Sequence, residues 1–210
     1  MSLHQTDKIA ILAPTKWGKT TLARHLLPSF PRTIVLDVAE QFPKDETDFV
    51  VESIAELGEI AKLLIKHAEK NFRIIRRYPE TFDGDYAADL DAVIKIAYAI
   101  GGVMIVADEF QEFMNREHIS RELKTLILRG RHRGVGLMGI TQRPAEVSKT
   151  FLAQCIHLFV GGFASPQDLK YIEGVFPKTQ VNSLRTLRVS QFIHFERPNK
   201  LETLPPLFKV

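Results

Sequence analysis

The chain has 210 residues, enough for one domain with a substantial core. Its 45% hydrophobic and 25% charged content is that of a soluble globular protein, which argues against a disordered or membrane-embedded chain. A formal charge of +3 and a pI near 9.0 permit a nucleic-acid partner without arguing for one, and the lone cysteine, Cys155, excludes an internal disulfide framework and fits a reducing compartment.

The amino terminus, MSLHQTDKIAILAP, has too short an apolar run for a signal peptide. KIAILAP reads as a first strand, and TTLARHLL begins a helix that Pro28 and Pro31 stop. TIVLDV is a second strand. SIAELGEIAKLLIKHAEK places Ile54, Leu57, Ile60, Leu64 and Ile65 on one helical face. FRIIRR is a third strand, followed by the polar, mobile-looking loop YPETFDGDYA. The run AVIKIAYAIGGVMIVA is nearly long enough for a membrane span. Lys95 and the Gly101-Gly102 pair divide it into a buried helix over Leu90–Ile100, a turn, and a strand over Val103–Ala107. That strand shows no polar alternation, as expected where both faces are covered. ISRELKTLILRGR is a further amphipathic helix and VGLMGIT a further buried strand. IHLFVGGF adds a strand, PQDLKYIEGVF a short helix, and VSQFIHFE a last strand. Alternating strands and helices predict one α/β domain around a largely parallel sheet, residues 1–197, with 198–210 as an extended proline-rich tail.

After the first strand comes APTKWGKTT, Ala13 to Thr21. It matches the phosphate-loop pattern G-x-x-x-x-G-K-[ST] with Ala13 in place of the first glycine. Successive backbone N–H groups of such a loop wrap a β-phosphate, and the following helix presents its positive end to the same anion. Pro14, Thr15 and Lys16 belong to the wrapping turn. Gly18 leaves room for the phosphate, Lys19 reaches the β/γ oxygens, the Thr20 hydroxyl ligates Mg²⁺, and Thr21 follows. Trp17 either packs on neighbouring structure or stacks on a nucleotide base. With this loop upstream, VMIVADE becomes an acidic strand end in which Asp108 holds Mg²⁺ and Glu109 orients or deprotonates water.

RGRHRGVGLMGITQRP ends a buried strand in Thr141-Gln142, an amide able to bond both a γ-phosphate and the attacking water. Before it lie Arg129, Arg131, His132 and Arg133. Three arginines in five residues exceed what helix capping needs, so one of them reads as a finger presented to a neighbouring subunit's γ-phosphate.

Together, APTKWGKTT, VMIVADE and RGRHRGVGLMGITQRP resemble the FtsK–HerA superfamily of ring-forming DNA-pumping ATPases. GITQRP is similar to that superfamily's glutamine strand, LDVAEQF to its second-strand element, and SPQDLKYIEGVF to its carboxy-terminal part. The motifs run from Ile9 to Arg143. The resemblance implies a P-loop NTPase, a RecA-like three-layer α/β sandwich with a mostly parallel central sheet. It implies ATP and Mg²⁺, with Lys19 and Thr20 on phosphate and metal, Asp108 and Glu109 as the acidic pair, and Gln142 as sensor. Arg131 falls where the trans-acting arginine sits, with Arg133 a close second. Ala13 and the small size are departures. With no membrane anchor, accessory DNA-binding domain or amino-terminal barrel, the chain is similar to the genome-packaging ATPases of membrane-containing, tailless icosahedral viruses. ATPases of filamentous viruses and conjugative plasmids are also small enough.

The expected partners are double-stranded DNA held through phosphates, identical subunits in a hexameric or pentameric ring, and a capsid or vertex membrane protein. The expected place is the host cytoplasm or the virion. A motor acting on protein, for a filamentous or secretion-type particle, is the alternative; a P-loop kinase or switch is a third reading. The switch lacks an N-K-x-D base-recognition element, and RGRHRG is a poor kinase lid because a sensor strand follows at once. Asp37 and Glu40 either face the nucleotide or form a solvated turn. Arg73, Arg76 and Arg77 form either a solvated strand end or part of a DNA-touching loop. The histidines show no metal-ligand spacing along the chain.

Overall fold

The computed structural model describes residues 2–67, 69–114, 119–163 and 165–207. Its strands are β1 (Lys8–Leu12), β2 (Arg32–Asp37), β3 (Phe49–Val51), β4 (Phe72–Arg77), β5 (Met104–Ala107), β6 (Gly136–Thr141), β7 (His157–Val160), β8 (Phe192–Glu196) and β9 (Lys200–Leu204). They join one sheet in the order β3-β4-β2-β5-β6-β1-β7-β8-β9. Every pairing from β3 to β7 is parallel, and β7-β8 and β8-β9 are antiparallel. The helices are α1 (Lys19–Leu26), α2 (Ile54–Lys66), α3 (Tyr86–Ile100), α4 (Arg121–Arg129), α5 (Lys149–Gln154), α6 (Pro166–Ile172) and α7 (Lys178–Val181).

Strand alternation sorts the core into two layers. Ile9, Ile11 and Ala13 pack with Leu22, Ala23 and Leu26 of α1 on one face of the sheet. Ala10 and Leu12 point to the opposite face, where α3 and α4 bring Leu90, Val93 and Leu126. Each isoleucine, leucine or valine so buried contributes roughly 1.5–3 kcal/mol. Side-chain caps fix the helix starts: Ser53 accepts from Glu56 N at 3.2 Å, Asp85 from Ala87 N at 2.8 Å, and Ser120 from Leu123 N at 3.1 Å. Helix α3 stops at Gly101, whose φ of +73° suits glycine.

Several expectations need correction. β8 is not the last strand, because Lys200–Leu204, expected within the extended tail, pair with it as β9. The short strand β3 and helices α5 and α7 carry too little periodicity to stand out. Ile65 does not share the buried stripe of α2: Leu57, Ala61 and Leu64 form it, and Ile65 turns to solvent. Helix α3 starts four residues before Leu90, and the preceding loop is anchored rather than mobile. Tyr78, Phe82, Tyr86 and Phe113 form one aromatic cluster with centroids 4.8–5.7 Å apart. Arg76 is neither a solvated strand end nor a DNA handle. It is buried, with Asp89 at 3.1 Å and the Tyr78 ring 4.3 Å from its guanidinium. Among the described residues, no helix is long and apolar enough to cross a membrane.

Because β5, β6 and β1 are parallel neighbours, the residues that follow them emerge side by side at one edge. Those are Asp108-Glu109, Gln142 and the loop beginning at Ala13.

Candidate nucleotide-phosphate site

The loop from Ala13 to Gly18 turns tightly out of β1. Lys16 and Gly18 are left-handed, at φ +60° and +92°, and such residues within a turn direct N–H groups toward one side, where an anion fits. Gly18 is also the N-cap of α1, so the helix start faces the same point. Ala13 is not among the residues at positive φ, so nothing there demands glycine. Its methyl fills space left by Gly161, where an added Cβ would come within 2.6 Å of it.

Trp17 packs on neighbouring structure. Its Nε1 donates to the Gln191 carbonyl at 2.8 Å, and the ring lies where side chains at Gly161 and Gly162 would be. The two glycines of VGGF are therefore the seat of the indole, a signal readable only once β7 is placed beside β1. Lys19 is buried and donates to the Pro14 carbonyl at 3.0 Å. Burial lowers its pKa, while Glu109 and Asp108 oppose that shift.

Asp108 is 2% exposed. Burial first, then the neighbouring Glu109 and Asp37 carboxylates, push its pKa up to about 7, and Lys19 only partly offsets them. This excess of confined negative charge fits a divalent cation. Glu109 sits in the left-handed region at φ +52°, and its neighbour Phe110 is buried. Phe110 packs over Gly139 of β6, where a Cβ would lie 2.6 Å from the ring, and against Phe151 at 4.8 Å. Gln142 places its amide between the loop and the acid. Its Nε2 donates to the two Glu109 carboxylate oxygens at 3.3 and 3.4 Å, and its Oε1 accepts from the Thr15 hydroxyl.

Asp37 is fully buried and caps its own loop, accepting from Gln41 N at 2.8 Å and Phe42 N at 3.1 Å. It is therefore not a solvated turn, and its carboxylate lies close enough to Asp108 to raise that acid's pKa; Glu40 is exposed. The loop brings Gln41, which sequence reasoning missed, over α1, where it accepts from the Thr20 hydroxyl at 2.8 Å. The resulting cleft, about 320 Å³, is lined by Thr15, Lys19, Thr21, Gln41, Glu109 and Gln142. A larger trough of about 770 Å³ opens along α1 past Arg24 and His25. Its Arg73 is already neutralised by Asp48 at 2.9 Å and Asp45 at 2.6 Å.

Arg131 and Arg133 do not join this site. They lie on the turn Gly130–Arg133 that precedes β6, whereas Gln142 follows its other end. Six strand residues at ~3.3 Å each put roughly 20 Å between the two groups. Both arginines are exposed, and Arg133 lies 4.8 Å from the Tyr98 ring centre.

Strand pairing also assembles His157, His194 and Glu196, the one grouping among the described residues spaced for a metal. His157 Nδ1 and His194 Nε2 are 3.0 Å apart, with ring centres 5.2 Å apart and planes within 23°. That arrangement sets the rings edge to edge and is a hydrogen bond. Asp7 Oδ2 lies 3.4 Å from the far nitrogen of His157.

No protein-family model matches the chain, and no curated protein matches it in sequence. Solved structures do match. The genome packaging NTPase B204 from Sulfolobus turreted icosahedral virus 2, in complex with sulfate, superposes with a TM-score of 0.79 at 15% identity, covering 99% of this chain and 100% of that one. The same NTPase in complex with ATP-gammaS gives 0.76 at 16%, over 97% and 99%. VirB4 of Thermoanaerobacter pseudethanolicus gives 0.64 at 11%, over 94% of this chain and 88% of that one. The chain thus has the P-loop NTPase fold that its motifs predict, a mostly parallel α/β sandwich shared end to end with the packaging NTPase.

Proposed function

We propose that the chain is an ATP-hydrolysing motor that works as a ring of identical subunits and moves double-stranded DNA, loading a viral genome into a preformed capsid. The observation that carries this reading is the separation of two chemical groups. Lys19, Asp108, Glu109 and Gln142 meet at one sheet edge, while Arg131 and Arg133 stand exposed at the opposite edge. Arginines so placed cannot serve their own subunit's γ-phosphate and are free to serve a neighbour's. A ring in which each subunit completes the next site supports this division.

In this reading the loop from Ala13 to Thr21 holds the triphosphate, with Lys19 on its β/γ oxygens. Thr20 and Asp108 would hold Mg²⁺, which when bound neutralises phosphate charge. Water attacks the γ-phosphorus, its proton passes to Glu109, the bond to the β,γ-bridging oxygen breaks, and ADP and inorganic phosphate leave. Gln142 orients the water from beside Glu109. A carboxylate and amide poised for water favour a hydrolase over a kinase. End-to-end likeness to a genome packaging NTPase supports DNA as the cargo, a capsid or vertex protein as the docking partner, and the host cytoplasm or virion as the place of action.

Hydrolysis measured with and without long double-stranded DNA tests the proposal. The expected result is a several-fold rise with DNA, and a loss of roughly 10²–10⁴-fold in Glu109→Gln under both conditions. Hydrolysis indifferent to DNA would replace the DNA cargo with a protein one. Absence of hydrolysis would remove the ATPase reading.

A further inference from the structure

Resting on that reading, we propose that Gln111 is a positioning residue for Glu109, setting the orientation of the carboxylate that receives the water's proton. The shortest hydrogen bond to this carboxylate comes from Gln111, whose Nε2 donates to Glu109 Oε2 at 2.7 Å, whereas the Gln142 contacts are 3.3 and 3.4 Å.

The Gln111 amide is also held from behind. The Thr141 hydroxyl donates to Gln111 Oε1 at 2.5 Å and accepts from the Arg143 backbone N at 2.9 Å. The Glu109 carboxylate can only accept, so it takes the Gln111 NH₂, and the Thr141 hydroxyl, which accepts from Arg143 N, donates to the amide oxygen that remains and ties the amide at its far end. Thr141 is buried at the end of β6, so it is a fixed reference point. Between Glu109 and Gln111 sits Phe110, locked over Gly139 of the same strand. Thr141, the last residue of β6, and Gln142, the residue after it, therefore act on the acid from different sides. Gln142 reaches it directly and also touches the loop through Thr15. Thr141 reaches it through Gln111, and its own tie to the loop is through the backbone, its carbonyl accepting from Ala13 N at 3.3 Å. The first link can respond to phosphate, and the second stays constant. A carboxylate held at one oxygen by a constant donor keeps its other oxygen aimed at the water.

The test is steady-state ATP hydrolysis by Gln111→Leu, Thr141→Val and Glu109→Gln, with the double variant Gln111→Leu/Glu109→Gln and nucleotide affinity measured on each. A positioning role predicts that Gln111→Leu lowers kcat roughly 10–100-fold with KM and nucleotide affinity within about twofold of wild type. Thr141→Val, which frees the amide to rotate, should lower kcat in the same sense by a smaller factor. The double variant should be no slower than Glu109→Gln alone, since the amide has nothing left to orient. Unchanged kcat in Gln111→Leu overturns the proposal, as does a fall in kcat matched by an equal loss of nucleotide affinity, which marks a structural role. Wild-type protein that hydrolyses no ATP overturns the functional reading itself. Hydrolysis abolished by Glu109→Gln yet untouched by Gln111→Leu overturns this inference alone.

Discussion

Ala13 departs from the phosphate-loop pattern, yet its backbone needs no glycine and its methyl occupies a space that Gly161 leaves open. The two residues, which follow β1 and β7, are complementary in size, which a pattern written along one loop cannot express. Glu109 shows the reverse: an ordinary residue type, it takes a left-handed backbone, and the residue after it, Phe110, is packed against Phe151. Arg76 owes its place to burial. Its guanidinium meets Asp89 at 3.1 Å and the Glu52 carbonyl at 2.6 Å, and Tyr78 donates to the other Asp89 oxygen at 2.6 Å. Removing one partner strands a buried charge, so Asp89→Ala should cost about 3–5 kcal/mol, read as a fall in the urea midpoint. A loss below about 1 kcal/mol would show that the pair is not what holds this corner.

At the scale of elements, the strands at the centre of the sheet were legible because both faces are buried and their sequences are continuously apolar. β1, β2, β5 and β6 all stand where the sequence places them. Edge strands carry weaker signals: β3 is three residues long, and β9, with exposed Lys200, Leu201 and Glu202, reads as tail until it pairs with β8. Within the candidate site, the residues in contiguous motifs were legible, while Gln41, Gln111 and the Gly161-Gly162 seat of Trp17 were not. Each of these depends on a contact across strands. The histidines follow the same rule, since β7 and β8 bring His157 and His194 together from 37 positions apart. Burial, with His157 adding to it, pushes the pKa of His194 down to about 4 from 6.5. The unfolded chain then takes up a proton that the folded chain refuses, so stability present above pH 6.5 is lost as the pH falls toward 4. Urea unfolding at pH 7.5 and 4.5 should differ by about 2–3 kcal/mol on this account. His194→Phe, which keeps the 4.3 Å ring contact with Phe159, should remove most of that slope. An unchanged slope would contradict the assignment.

For the whole molecule, sheet order is the decisive fact. The parallel order β5-β6-β1 gathers the phosphate loop, the acidic pair and Gln142 at one edge, and the length of β6 carries the arginine turn to the other. On the proposed reading a single copy holds most of the site and takes its arginine from a neighbour. Hydrolysis is proposed to occur between copies, and mixing two disabled proteins shows whether it does. Arg131→Ala keeps an intact acid but offers no arginine to its neighbour, and Glu109→Gln offers the arginine but lacks the acid. Each alone should be nearly inactive, and an equimolar mixture should regain a substantial fraction of wild-type hydrolysis, because some interfaces then pair Glu109 with Arg131. A mixture as inactive as its parts, or an Arg131→Ala protein as active as wild type, would contradict a site completed in trans by this arginine.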